Sequence, residues 1–219
     1  MKYLRKFSTE TDVAMDIFPN VVLVEDTKKV LYNVAPIGVF IQHIDGSLHT
    51  MEAWTAAGFS NDEANGVAVN AKEAGFVIAK NLLGTNAWSS NTSDLLEGIL
   101  TTTNSTEAKK DFAGAANTAI IVAASTSGAA VDCNNYTFPN GAKGYLPASG
   151  ELYVAYNNKA SIDAAMTLIG GSGLSSNFYW SSTQYSATSA WYLYWSPSGM
   201  SDDNKANSFS VRAFSALEI

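Results

Sequence analysis

Trp191, Leu193 and Trp195 alternate with Tyr192 and Tyr194 near the end of the chain. A period of two predicts a β-strand with two unlike faces. The indoles and Leu193 are assigned to the core. Tyr192 and Tyr194 then point outward, each with an aromatic body and a polar tip. The next residues, Ser196-Pro197-Ser198-Gly199 and Ser201-Asp202-Asp203-Asn204, are polar and read as loop.

Earlier, Asn20-Val21-Val22-Leu23-Val24-Glu25 and Lys29-Val30-Leu31-Tyr32-Asn33 predict two strands joined as a hairpin by Asp26-Thr27-Lys28. A short strand is predicted at Ile37-Gly38-Val39-Phe40-Ile41, with Asp45-Gly46 as a turn towards Leu48. Thr50 can cap a helix through Trp54 that stops at Gly58. Ser60-Asn61-Asp62-Glu63 carries a second helix-start signature. Val67-Ala68-Val69 and Phe76-Val77-Ile78-Ala79 predict another strand pair.

Residues 88–105 have weak periodicity and read as loops, with one turn of helix around Leu95. Over residues 106–124, Phe112, Ala116, Ile120 and Ala123 fall at helical spacing. Pro139-Asn140-Gly141 marks a turn in a loop over 134–144. Ser149 is the expected cap of a helix carrying Leu152, Ala155 and Tyr156. Ile162, Ala165, Met166 and Ile169 form a stripe closed by Gly170-Gly171. Strands first, helices in the middle and strands last predict an α+β fold. The division expected is a β-hairpin extension over 1–35 and a main domain over 36–219.

The 219 residues are 47% apolar, enough for a core, and carry a net charge of −7. The absence of a Lys/Arg-rich run argues against a nucleic-acid partner. No apolar run reaches the roughly 18 residues of a membrane span, so no membrane insertion is expected. Lys2, Arg5 and Lys6 are followed by polar residues where an apolar core would be needed, so no signal peptide is read. Cys133, the one cysteine, can form no internal disulfide and is expected as a small buried hydrophobe. His43 and His49 match no zinc spacing and are expected to be partly packed or solvated. Asp202-Asp203 falls short of a calcium site. Gly170-Gly171-Ser172-Gly173 ends a helix, the wrong polarity for phosphate. No metal, cofactor or catalytic residue is assigned, and the chain is not expected to be an enzyme.

Gly144-Tyr145-Leu146-Pro147, Glu151-Leu152, Tyr179-Trp180-Ser181-Ser182-Thr183, Trp191 and Val211-Arg212-Ala213-Phe214 resemble a C-type-lectin-fold family. More narrowly they resemble the variable proteins of diversity-generating retroelements. Asn65-Gly66-Val67-Ala68-Val69, Phe76-Val77-Ile78-Ala79-Lys80 and Ala87-Trp88-Ser89-Ser90 are similar to members from gut phages and prophages. The likeness spans roughly residues 36–217; residues 1–35 more faintly resemble amino-terminal segments of phage structural proteins. It implies a C-type lectin-like fold whose surface, over about 176–214, is diversified by copying errors at template adenines.

The implied framework is Trp180, Ser181, Ser182, Trp191, Leu193, Trp195, Val211, Arg212 and Phe214. The implied variable, ligand-binding positions are Phe178, Thr188, Ser189, Tyr192, Tyr194, Ser196, Pro197, Ser198, Ser201, Asp202, Asp203, Ala206, Asn207 and Phe209. Each of these is reachable from an asparagine codon through changes at adenines alone. Met200 and Lys205, which that route cannot produce, stand off the list.

The likeness implies a non-enzymatic receptor-binding or display protein, made in the cytoplasm and carried on a phage virion. Its ligand would be a protein or glycan on a host-cell surface. A homo-oligomer such as a trimer would suit a fibre tip. The alternative is a bacterial surface adhesin or pilus-tip lectin on the same fold. Sugar-binding C-type lectins hold calcium through Glu-Pro-Asn or Gln-Pro-Asp with Trp-Asn-Asp. The nearest string here, Phe138-Pro139-Asn140, lacks the carboxylate. Formylglycine-generating enzymes of related fold need a cysteine pair, which Cys133 alone does not supply.

Overall fold

The computed structural model describes residues 37–174, 177–195 and 199–218, together with two dipeptide strands. The latter are β1 (Leu4–Arg5) and β2 (Val30–Leu31), which pair antiparallel with Leu4 opposite Leu31. The expected hairpin partner of β2, residues 20–25, lies outside the described residues. β2 pairs with a segment far back in the sequence, which local turn signals do not encode.

The fold is α+β, built on two five-stranded sheets. The first comprises β3 (Gly38–His43), β4 (Leu48–His49), β5 (Ala64–Asn70), β6 (Gly75–Ile78) and β12 (Phe214–Ala216), in the order β12-β6-β5-β3-β4. The second comprises β7 (Gly84–Asn86), β8 (Phe178–Gln184), β9 (Ser189–Tyr194), β10 (Gly199–Asn204) and β11 (Phe209–Val211), in the order β10-β9-β8-β11-β7. All ladders are antiparallel except β8–β11.

Among the described residues, six helices fill the connections: α1 (Met51–Ala57), α2 (Ser105–Ala108), α3 (Gly114–Ala123), α4 (Ala129–Asn135), α5 (Ser149–Asn157) and α6 (Lys159–Leu168). Thr50 caps α1 by accepting from Ala53 N, and Gly58 closes it in the left-handed region that glycine enters without a Cβ clash. Gly170 ends α6 in the same way, at φ 68°.

The first sheet is covered on both faces. Ile41, Val67, Val69, Phe76 and Ile78 pack against Leu152 of α5 and the α6 stripe Ile162, Ala165, Met166 and Ile169. Phe40, Ala68, Val77 and Ala79 face the other way, onto Trp88, Ile121 of α3, and Ala129, Ala130 and Cys133 of α4. Cys133 is fully buried, and burial holds its thiol pKa well above the ordinary value.

Four helical or loop expectations need correction. The Ser60–Glu63 signature forms its cap, with Glu63 accepting from Ser60 N at 2.7 Å, but only a single turn of 3₁₀-helix follows (Asn61–Glu63). The chain then enters β5, whose burial on both faces outweighs the local signal. No helix forms at Leu95, which is exposed. The 106–124 segment splits into α2 and α3. Ala116 and Ala123 of α3 face solvent, while Asn117, Thr118 and Ile121 are buried. The buried polar pair is satisfied: Asn117 Nδ2 donates to Asp111 Oδ2 at 3.0 Å, and Thr118 Oγ1 accepts from Leu146 N at 2.9 Å. Helix α5 begins one residue earlier than expected. Ala148 is its cap residue, and the Glu151 carboxylate accepts from Ala148 N at 2.7 Å.

Arg212 lies in the two-residue link between β11 and β12, where the chain passes from one sheet to the other. It is 2% exposed. Its Nε donates to Ala79 O (2.9 Å), Nη1 to Gly173 O (3.2 Å), and Nη2 to Lys80 O (2.5 Å) and Ser172 O (2.7 Å). An ammonium cannot span these four carbonyls as a planar fork does. Arg212→Lys should therefore cost about 2–4 kcal/mol in urea unfolding. A loss below about 1 kcal/mol would remove Arg212 as the junction clamp.

Glu151 gives a pH-dependent expectation. Burial pushes its pKa up to about 7, with Asp111's charge adding, against lowering by the donors Ala148 N and Tyr145 Oη. The folded state thus favours the protonated acid. This contribution is fully present below the ordinary value near 4.5 and is lost as pH rises through about 7. Unfolding free energy should fall by about 2 kcal/mol between roughly pH 5 and pH 8 on this account. Glu151→Gln should flatten the slope by that amount; an unchanged slope would mean another group sets it.

Candidate functional site

The second sheet separates the expected framework from the expected binding positions. Trp191, Leu193 and Trp195 are buried, at 4%, 0% and 5% exposure, while Tyr192 and Tyr194 between them are half-buried. The alternation read from the sequence therefore holds. Trp191 Nε1 donates to Thr102 O at 2.8 Å, tying β9 to the long loop before α2. Trp180, Ser181, Ser182, Val211, Arg212 and Phe214 are buried as well.

The Tyr179-Trp180-Ser181-Ser182-Thr183 string has a local reason. The β8–β9 register shifts between Trp180 and Gln184. Over that stretch Ser181 Oγ donates to Trp191 O (2.8 Å), Ser182 N donates to Pro147 O (2.8 Å) and Thr183 Oγ1 donates to Asp111 Oδ2 (2.7 Å). Small hydroxyl side chains here replace ladder partners that the irregularity removes.

One correction concerns Ser201-Asp202-Asp203-Asn204. They are not loop but part of β10, the outer strand beside β9, with Ser201 opposite Tyr192 and Met200 opposite Leu193. An edge strand with a partly exposed surface carries polar residues without cost, so its composition mimics a loop.

Register sorts the candidates. Tyr194 pairs with Phe178 and Gly199, Tyr192 with Trp180 and Ser201, and Ala190 with Asp203. Phe178, Tyr192, Tyr194, Ser201, Asp203 and, from β11, Phe209 thus share one face. Four of them form a ring cluster. Phe178 lies 5.3 Å from Tyr192, 4.9 Å from Tyr194 and 5.2 Å from Phe209, and Tyr192 lies 4.8 Å from Phe209. Buried Trp180 is the floor, 4.5 Å from Phe209, with its Nε1 donating to Asn86 O. Phe178 is 40% exposed.

Ser189 and Asp202 sit on the opposite face, since Ser189 pairs with Asn204 and Asp202 with Trp191. Thr188, Ala206 and Asn207 occupy the turns at one end of the sheet, where Lys205 N donates to Thr188 O at 2.9 Å. Ser196, Pro197 and Ser198 lie outside the described residues. None of the described candidates is buried.

Met200 and Lys205, left off the candidate list, have inward roles. Met200 packs against the first core cluster. Lys205 is fully buried; its Nζ donates to Asp94 O (2.9 Å) and Gln184 Oε1 (3.0 Å) and lies 4.6 Å from the Trp88 ring centroid. Burial lowers its pKa to about 8. Two residues bordering the ring cluster were missed by sequence reading. Asn86 pairs with Phe209 across β7–β11 and donates through Nδ2 to Asp132 Oδ2 at 2.8 Å. No periodicity links positions so far apart in the chain.

His43 and His49 pack around Phe59, with ring centroids 4.8 and 5.0 Å from it. Among the described residues, no group of three or more His, Cys, Asp or Glu is placed to hold a metal. An open cleft of about 730 Å³, lined by Gln42, Asp45, Ser47, Asn140, Lys143 and Glu218, lies at the first sheet and includes none of the candidate positions.

A two-sheet α+β architecture of this kind is shared with a protein of known crystal structure. That protein is a fimbrial protein from Bacteroides ovatus ATCC 8483, with a TM-score of 0.57 and 16% sequence identity over 82% of this chain and 48% of the other. This chain spans about half the length of the fimbrial protein, and the likeness is one of fold. No family model and no curated protein matches.

The buried and half-open aromatics should differ in stability. Trp191→Ala should cost about 3–5 kcal/mol. Tyr194→Ala should cost less than about 1.5 kcal/mol. Denaturant unfolding distinguishes the two, and equal losses would place Tyr194 in the core.

Proposed function

We propose that this chain is a non-enzymatic recognition protein of the surface-adhesin kind, binding a protein or glycan on a host cell. The face formed by Phe178, Tyr192, Tyr194 and Phe209, with Ser201 and Asp203, makes the contact. The observation that carries the reading is the ring cluster held half-open over Trp180. Rigid aromatic rings supply contact area at low conformational cost, and short polar side chains supply adaptable hydrogen bonds. The fold likeness to a fimbrial protein supports the surface-adhesin alternative over the phage-virion role that the sequence resemblance implied.

A second reading concerns how the face acquires its residues: a C-type lectin-like scaffold diversified by a retroelement. It is favoured by the separation of buried framework from unburied candidates, and by the inward roles of Met200 and Lys205. Its test is the neighbouring DNA. A near-copy of the segment encoding residues 176–214, differing where the copy has adenine and lying beside a reverse transcriptase gene, is expected. Genomic neighbourhoods lacking both would remove this reading and leave the adhesin reading standing.

The binding role is tested with a glycan array and a panel of purified cell-surface proteins. The native protein is compared with the triple variant Phe178→Ser, Tyr192→Ser, Tyr194→Ser. Ligands of the native protein should bind the variant about tenfold more weakly or worse, at a retained unfolding transition. Equal binding by both would move recognition elsewhere.

A further inference from the structure

We infer that the ring face takes a cationic polypeptide segment, one that presents arginine or lysine side chains to the aromatic floor. This deepens the proposed binding role and rests on it.

The charge distribution around the rings carries the inference. The described positions of this face, read from the ladders, run from Ser201 and Asp203 on β10 across Tyr192, Phe178 and Phe209 to Asn86 on β7, with Gln184 opposite Ala190 at the Asp203 end. None is a lysine or arginine. Carboxylates stand on both sides of the rings. On one side, Asp203 is in β10, one step along the face from Ser201 opposite Tyr192. On the other, Asp132 Oδ2 is held by Asn86, the ladder partner of Phe209. The cation nearest in sequence, Lys205, is turned inward and committed to Asp94 O and Gln184 Oε1. The chain as a whole carries a net charge of −7.

Aromatic faces attract cations through the ring quadrupole, and a guanidinium can stack on a ring while its edge reaches a carboxylate. An anionic ligand would meet Asp203 and Asp132 with no compensating charge on this face. Asp203 Oδ1 accepts from Asn204 N and Asn207 Nδ2 and Asp132 Oδ2 from Asn86, all neutral donors; a neutral ligand would use the rings and add only further neutral donors, leaving both negative charges unmatched. The outer edge of β10 borders the patch as the end of its sheet, which suits an extended chain more than a compact cation.

The test uses the full chain and fluorescence anisotropy. The probe is a labelled peptide of four Gly-Arg-Ser repeats. Its controls are the same peptide with citrulline for arginine, the same peptide with glutamate for arginine, and a labelled neutral maltoheptaose. The arginine peptide should bind about tenfold more tightly than the citrulline peptide, and raising NaCl from about 20 to about 300 mM should weaken it. Asp203→Asn should weaken it about threefold or more. Glu73→Gln, an exposed carboxylate in the β5–β6 turn, should leave it within about twofold. Tyr194→Ser alone should also weaken it, which keeps the test open if the triple variant unfolds.

Equal affinity for arginine and citrulline peptides overturns the inference, as does an effect of Glu73→Gln as large as that of Asp203→Asn. Maltoheptaose or the glutamate peptide binding in a Tyr194-dependent way, with the arginine peptide not bound, overturns it too while the recognition face itself stands. If array ligands bind the triple variant as well as the native protein, the face itself is wrong, and the inference falls with it.

Discussion

The junction of the two sheets depends on one buried cation. Arg212 has no carboxylate within ion-pair distance among the described residues. Its charge is met by four carbonyl oxygens, two from the segment that follows β6 and two from the segment that follows α6. A buried charge is tolerable when its donors are this fully occupied, because each carbonyl dipole stands in for water. The consequence is geometric. Ala79 N donates to Ala213 O and Leu83 N to Val211 O, so the backbone on both sides of Arg212 is bonded as well. β12 must therefore join the first sheet where β11 leaves the second, and α6 must end beside that point.

The second sheet adds polar anchors to the apolar packing of Leu193 and Trp195 on one face and Trp180 and Val211 on the other. Asp111 gathers Asn117, Thr183 and Ala113 N. Gln184 exchanges hydrogen bonds with Leu96 through both ends of its amide and accepts from Lys205. Trp88 Nε1 donates to Ser181 O and Trp191 Nε1 to Thr102 O. These bonds fasten the patternless 88–104 segment across β8 and β9. That segment is ordered by partners remote in sequence, which explains why it carries no periodicity of its own.

What could be read from the sequence follows the same division. Apolar periodicity located the α6 stripe, the β5–β6 pair and the Trp191/Leu193/Trp195 face, because burial there is set by hydrophobic side chains. It misplaced the buried face of α3, where Asn117 and Thr118 lie inward beside Ile121, and it missed β10, where an exposed edge strand needs no apolar residue. It gave no warning of α4, seven residues whose buried face is only Ala129, Ala130 and Cys133. The ring cluster was half legible. Strand alternation placed Tyr192 and Tyr194 outward, but Phe209, Asn86 and Asp132 come together only through the β8–β11 and β11–β7 pairings.

The same anchors bear on why this face could vary in chemistry while the fold persists. Apart from the bond from Asn207 Nδ2 to Asp203 Oδ1 at the end of β10, the hydrogen bonds described above that fasten the second sheet to its loops and helices come from Asn86, Trp88, Ser181, Ser182, Thr183, Gln184, Trp191, Lys205 and Arg212. None of these is a candidate binding position. Truncating Phe178 or Tyr194 removes ring contacts from a half-open surface and leaves that network in place. Replacing Lys205 would strip the charge from a buried site and leave the Gln184 amide short of a partner. Met200 faces the core opposite Leu193. Trp180, Gln184, Trp191, Trp195, Met200 and Lys205, which the adenine route cannot produce, thus lie within the stretch it would diversify, and all are packed inward. Under the proposed reading, selection for packing and the limits of the copying chemistry set the boundary of the variable surface at the same residues.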